Sequence, residues 1–195
     1  VIEQLILPVS DADIEGLALL ILDATAAGAS VGFLDSISLE SAKEWWRQSI
    51  ASAAIVLVAR DDHGIAGTVQ LRPASMPNQR HRADIAKLLV HRRARGKGLG
   101  RMLMEEIERR ARSSGFTLLT LDTKRGDAAE SLYRRSGWTE VGVIPNYALN
   151  PDGSLCDTVI FYKELNDAYA VSRGDRFTRR TRRGGARRVL GRLRE

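Results

Sequence analysis

The sequence predicts a mixed α/β fold, and three observations carry that expectation. β-rich runs and helix-periodic runs alternate along the first 165 residues. Two of the strand-like runs, "DIAKLLV" and "FTLLTLD", read as buried central strands of a sheet. One amphipathic helix lies between them as a crossover connection.

Taken in order, "EQLILPV" reads as a short first strand stopped by Pro8. Ser10 then caps a helix, with Asp13 three residues on in the manner of a capping box. Ile14, Leu17, Ala18 and Ile21 follow at helical spacing, and Gly28 ends the pattern. Ser38 opens a second helix, "LESAKEWWRQSIASA". Its neighbours Trp45 and Trp46 point about 100° apart, so only one of them can face the core. "AIVLVARDDHGIAGTVQLRP" is a hairpin that turns at Asp61–Gly64. A polar loop from Pro73 to Arg82 leads into "DIAKLLV". The next helix carries Leu99, Leu103, Ile107 and Ala111 on one stripe and should stop at Gly115. After "FTLLTLD", "DAAESLYRRSG" is a helix closed by Gly137. "WTEVGVIPNYAL" and "LCDTVIFYKEL" then flank the turn Asn150-Pro151-Asp152-Gly153. About seven strands and about four helices result.

The 195 residues suffice for one well-buried domain, expected over 1–165. The net charge of +6 is unevenly spread: residues 166–195 hold ten arginines against Asp167, Asp175 and Glu195, while the rest is nearly neutral. That basic segment, poor in apolar residues, is expected to be a disordered tail. Apolar residues make up 44%, but no run is long enough to span a bilayer, and no secretory signal is read. The first residue is Val, which fits an alternative start codon or a trimmed chain. The expected compartment is the cytoplasm. Cys156 is the one cysteine, which excludes an internal disulfide and any multi-cysteine metal site, and three scattered histidines add none.

The stretch "LVHRRARGKGLGRMLM" carries the chemistry. It sets Gly96, Gly98 and Gly100 at alternate positions between a strand and a helix, among Arg95, Lys97 and Arg101. A helix N-terminus has unpaired N–H groups and a partial positive charge, so small residues there let a diphosphate approach the backbone. The spacing fits neither a Walker A loop, which needs four residues between its glycines, nor the G-x-G-x-x-G dinucleotide fingerprint. In "LLVHRRARGKGLGRMLM", Arg95, Gly98 and Gly100 occupy the positions of an Arg/Gln-x-x-Gly-x-Gly/Ala signature. The stretch resembles the acetyl-CoA signature of the GNAT acetyltransferases. "AAESLYRRSGW" is similar to that family's "A-x-x-L-Y-x-x-x-G-F" helix, with Ala129, Leu132, Tyr133, Gly137 and Trp138 in register. The resemblance covers roughly residues 4–165. Within the family, "HRADIAKLLV", "LLTLDT" and "PDGSL" are similar to stretches of the tabtoxin-resistance acetyltransferases.

The resemblance implies acetyl-CoA as donor, no metal, and transfer to a primary amine of a small molecule in a ternary complex, tabtoxinine-β-lactam being one such acceptor. It implies that the backbone of Leu89 and Val90 holds the pantetheine arm, and that Arg95, Gly96, Lys97, Gly98, Leu99, Gly100 and Arg101 hold the pyrophosphate. Tyr133 falls where family members keep the acid that protonates the departing thiolate. Asp84 and Asp122, at the start of one central strand and the end of the other, are candidates for the base or for anchors of a cationic substrate. His81 and His91 have suitable unperturbed pKa values but sit in loops, and His63 is a turn residue. Trp45 or Trp46 is expected over the acceptor pocket. The family's asparagine seven residues before the tyrosine is Gly126 here, so a neighbour such as Asp127 is expected to supply that contact.

Other readings stay open. The acceptor could be a protein amino terminus or lysine, or the fold could bind acyl-CoA without turnover. The arginine-rich segment could also bind polyanions such as nucleic acid or a membrane surface. Pairing into a homodimer through sheet edges is a family expectation.

Overall fold

The computed structural model describes residues 1–165, so the expected basic tail, 166–195, lies outside the described residues. In chain order the elements are β1 (Ile2–Gln4), α1 (Asp11–Ala26), α2 (Leu39–Ser52), β2 (Ile55–Asp61), β3 (Gly64–Pro73), β4 (Arg82–Val90) and α3 (Leu99–Ser113). There follow β5 (Leu118–Lys124), α4 (Ala128–Arg135), β6 (Thr139–Leu149) and β7 (Leu155–Glu164). The seven strands form one mixed sheet in the order β1-β2-β3-β4-β5-β7-β6, antiparallel everywhere except between β4 and β5.

The period of two along β2 builds both faces of this sheet. Ile55, Leu57 and Ala59 join the core under α3 and α4, whereas Val56 and Val58 join the core under α1 and α2. The helix stripes match: Leu103, Ile107 and Ala111 of α3 enter the first core, and Ile14, Leu17, Ala18 and Ile21 of α1 enter the second. Ser10 caps α1 by accepting the Asp13 N–H at 3.1 Å, and Ser38 caps α2 by accepting the Ser41 N–H at 3.1 Å. Trp46 is the core member of the tryptophan pair, fully buried and donating its indole N–H to Leu17 O at 2.9 Å.

The first strand is shorter than expected. Its pairing to β2 covers Ile2 to Gln4, after which Ile6 and Leu7 stand exposed ahead of Pro8. Leu5 still donates its N–H to Val56 O at 2.9 Å, but no pairing to β2 is seen for Ile6 and Leu7, so apolar composition alone did not extend the strand.

One feature of the sheet makes a cleft. β4 and β5 pair only at Arg82↔Leu118, Ala83↔Leu119 and Asp84↔Thr120. Beyond that point β5 continues on β7 and β4 continues on β3, but the two no longer touch each other as strands. In β4 the register against β3 slips at Lys87, which takes a left-handed φ of 51°. A bulge of this kind bends a strand and increases its local twist.

Behind the cleft, Glu108 fastens α3 to the far half of the sheet. It is buried, accepts the Trp138 indole N–H on Oε1 at 3.0 Å, and pairs on Oε2 with Lys163 Nζ at 2.7 Å. Trp138 in turn packs 6.0 Å from the Tyr133 ring. Glu108→Ala leaves the buried Trp138 indole donor without an acceptor and takes one of two partners, the other being Ser136 O, from the partly buried Lys163 ammonium. It is therefore expected to cost about 2 kcal/mol and roughly 6 °C in Tm. Glu108→Gln, which keeps an acceptor for Trp138, should lose less. Equal melting of wild type and Glu108→Ala would refute this account.

Candidate active site

The parted strands open a cleft of about 1400 Å³ at the centre of the sheet. One wall is β4 from Ile85 to Val90, the other runs from Asp122, two residues before the end of β5, to the first residues of α4. Past Asp84 the edge of β4 facing β5 has no strand partner, so its backbone groups are free to pair with an extended ligand.

On the α3 side the cleft is built from backbone. Gly96 and Gly98 have φ of 75° and 79°, a region that side-chain-bearing residues rarely adopt. Gly98 is the N-cap of α3 and offers no side-chain acceptor, so the first amides of that helix stay unpaired. With nothing within 4 Å of where a Cβ would stand on either glycine, an anion can reach those amides. Arg95, Gly96, Gly98, Leu99, Gly100 and Arg101 line the cleft with Leu89 and Val90; Lys97 is exposed and does not line it. These residues therefore fit a diphosphate and a pantetheine-like arm.

The glycine loop is anchored by a residue that sequence reasoning missed. Asp23, buried near the end of α1, accepts the Arg92 N–H on Oδ2 at 2.9 Å and the Arg92 guanidinium on Oδ1. His91 Nε2 lies 3.7 Å and an Arg95 nitrogen 3.8 Å from the same carboxylate. Burial pushes the Asp23 pKa up, but the hydrogen bonds from Arg92 and the charges of His91 and Arg92 outweigh it, leaving a net lowering. Arg95 also donates to Val90 O at 2.9 Å, which closes the loop back onto β4. Sixty-nine residues separate Asp23 from Arg92, and no local pattern signals such a pair.

On the α1–α2 side the cleft is built from side chains. Lys87, at the bulge, donates to Val31 O at 2.7 Å and lies 5.3 Å from the Phe33 ring centroid and 4.9 Å from that of Trp45. Arg72 lies 5.6 Å from the Trp45 ring and donates to Gln70 Oε1 at 2.9 Å and Ser49 Oγ at 2.6 Å. Burial, with help from the Arg72 charge and against that of Asp122, lowers the Lys87 pKa to about 8. Phe33, Arg72 and Lys87 line the cleft, with Trp45 packed edge-on against Phe33. Neither Arg72 nor Lys87 was singled out from the sequence.

Of the three expected catalytic side chains, the structure brings two to the cleft. Tyr133 lines it from α4, its ring buried against Trp138 and Phe161. Its hydroxyl makes no hydrogen bond among the described residues, and burial, reinforced by the charges of Asp122 and Asp127, pushes its pKa well up. Asp122 lines the cleft and is exposed.

Asp84 corrects the expectation that both acids flank the cleft. It is the last paired position of β4, accepts from Arg82 Nη1 at 2.7 Å and from the Thr120 hydroxyl, and does not line the cleft. The parallel pairing that holds Asp84 against Thr120 is what removes it.

Asp127 lines the cleft, and its side chain caps α4 by accepting the Ala128 N–H at 2.7 Å. Gly126 stands at φ 80° and donates its N–H to Glu130 at 2.6 Å. His91 accepts the Arg93 N–H on Nδ1 at 3.2 Å, and burial lowers its pKa. His81 is exposed, and neither histidine lines the cleft. Cys156 is buried, 3.7 Å from Ser30 Oγ, and does not line it either. Among the described residues no cluster of three His, Cys, Asp or Glu could hold a metal, and no helix is long and apolar enough to cross a membrane.

Comparison with known proteins agrees with this geometry. Residues 23–138 match the model of the acetyltransferase (GNAT) family. An uncharacterized N-acetyltransferase from the hisH-hisA intergenic region of Azospirillum brasilense is 34% identical over 105 residues, 52% of this chain and 62% of that protein, so the match spans under two thirds of the relative's length. Among solved structures, a ribosomal-protein-alanine N-acetyltransferase from Brucella melitensis superposes with a TM-score of 0.70 at 24% identity, over 85% of this chain and 99% of that one. YncA from Salmonella typhimurium, solved with acetyl-CoA, gives 0.70 at 19% identity, over 86% and 94%. At these identities the two structures establish the fold.

Two measurements test the geometry. Asp23→Asn is expected to weaken CoA binding about tenfold in isothermal titration, because the loop loses its charged anchor; an unchanged Kd would refute the anchoring role. Lys87 titrates near 8 in the folded chain and near 10.5 unfolded, so the unfolded chain binds more protons between these values. Stability relative to Lys87→Met should therefore rise with pH from about 8 to 10.5. A flat difference across that window would mean that Lys87 is solvated.

Proposed function

The chain belongs to the acetyltransferase (GNAT) family, and on that premise we propose that it transfers an acetyl group from acetyl-CoA to the primary amine of a small molecule, directly and without an acyl-enzyme. The observation that carries this reading is the meeting, at one opening in the sheet, of a strand edge without a partner, an anion-accepting helix end, Asp122 and Tyr133. Bound there, acetyl-CoA would supply an acyl group activated as a thioester.

The chain's own residues would do the rest. The α3 amides with Arg95 and Arg101 hold the diphosphate, and β4 aligns the arm by strand-like hydrogen bonds. Asp122 Oδ takes the proton from the acceptor ammonium, directly or through one water, and the freed amine attacks the thioester carbonyl, so that the C–N bond forms as the C–S bond breaks. Tyr133 Oη keeps its proton at neutral pH, because its pKa is raised, and releases it toward the departing thiolate. Direct transfer is supported by the position of Cys156, a nucleophile that does not line the cleft. A toxin-resistance role, with an acceptor such as tabtoxinine-β-lactam, is one specific form of this proposal, resting on the sequence resemblance alone.

The test begins with ligand-dependent unfolding. Acetyl-CoA and CoA are expected to raise Tm while ATP and NADH do not, since a ligand that binds only the folded state stabilises it by RT ln(1 + [L]/Kd). Equal shifts with every phosphorylated ligand would sink the proposal. In a thiol-release assay, Tyr133→Phe should lower kcat about a hundredfold with little change in KM for acetyl-CoA. A change confined to KM would mean that Tyr133 only packs.

A further inference from the structure

Arg72 and Lys87 are held in the cleft wall by neutral groups alone. Their hydrogen-bond acceptors are a glutamine oxygen, a serine hydroxyl and a main-chain carbonyl, and no carboxylate lies within 4.0 Å of either among the described residues. Both approach the one Trp45 ring, at 5.6 and 4.9 Å from its centroid. Such contacts orient a cation without cancelling its charge.

The acids nearby do not close the balance. Asp84, the carboxylate that acts on Arg72, is already engaged by Arg82 and Thr120. Asp122 acts on Lys87 from an exposed position. Two like charges therefore sit partly buried beside each other. Lys87 is kept there by a left-handed backbone that a lysine adopts only at a cost. Charges taken from water are tolerated when an opposite charge arrives to pair with them.

The missing anion has two sources, the donor and the acceptor. The donor's phosphates are served on the other face of the sheet, where α3 begins and its amides are open. Arg72 and Lys87 pack instead on Trp45 of α2, over the opposite core. We propose that the acceptor is an acidic amine, a small molecule whose carboxylate is bound by Arg72 and Lys87 while its ammonium lies toward Asp122. This rests on the transferase reading above and adds its substrate class. The free amine then arrives oriented at two points, which leaves one nitrogen facing the strand gap.

The experiment is isothermal titration of the CoA-saturated full chain with matched pairs that differ only in the carboxylate, each amino acid beside its decarboxylated amine. At least one acid-bearing member is expected to bind about tenfold or more tighter than its partner. Arg72→Gln should bring the two members of that pair to similar affinity while CoA binding holds, and Arg72→Lys should fall between. A merely structural role for Arg72 would weaken both members alike. Amines that bind without regard to the carboxylate, or no acid-bearing amine bound while CoA binds, would overturn the acidic-amine assignment and leave the cofactor reading standing. Failure of CoA itself to bind would overturn both.

Discussion

The parting of β4 from β5 after Asp84↔Thr120 is the constraint on which everything else in this protein depends. Two parallel strands at the centre of a sheet ordinarily satisfy each other's backbone groups along their length. Here they do so for three residues, and the polar edge left over, apart from the Val90 carbonyl taken by Arg95, must be satisfied by water or by a ligand. The bulge at Lys87 turns β4 away, while β7 holds all seven residues of β5 in register. A fixed strand beside a bent one gives an opening between two strands of the sheet, which the loops after α1, β4 and β5 then border.

That opening passes through the sheet, so its two ends inherit different neighbours. The α3 end meets a helix terminus and is lined by amides and glycines, a surface suited to anions of any shape that fit against backbone. The α1–α2 end meets Trp45, Phe33 and the two fixed cations, a surface whose recognition depends on side-chain placement. In the proposed reaction, donor and acceptor are thus separated by the thickness of one sheet and meet only in the gap. Asp23 serves the first end from α1, tying the glycine loop to the helix layer that also frames the second.

What the sequence disclosed follows from how local each feature is. The glycine loop was legible because a left-handed backbone at Gly96 and Gly98 requires glycine and because strand and helix patterns flank it. Tyr133 was legible from its motif. The choice between Asp84 and Asp122 was not, since both are strand aspartates and only the site where pairing stops separates them. Lys87 gave no signal, because nothing in "DIAKLLV" marks a lysine that will leave the β region. Arg72 ended a plain β-run, and Asp23 ended a plain helix. Each acquires its role from a partner tens of residues away, which periodicity cannot reveal. The first strand failed in the other direction: Ile6 and Leu7 have strand composition, but the last backbone hydrogen bond to β2 is made by Leu5.

The proposed chemistry finally rests on a contrast of environments between the two groups asked to move protons. Tyr133 is walled in by Trp138 and Phe161, and the nearby carboxylates make its phenolate still less favourable, so its proton stays on oxygen at neutral pH. Asp122 instead lies exposed on β5, on the wall of the same cleft. One group is therefore walled in by aromatic rings with its proton held on oxygen, and the other stands open to solvent on the same cleft. The same walls that bury the tyrosine ring leave its hydroxyl without a protein partner, on a residue that lines the cleft. A phenol satisfied by a neighbour would have to break that bond before donating; this one does not.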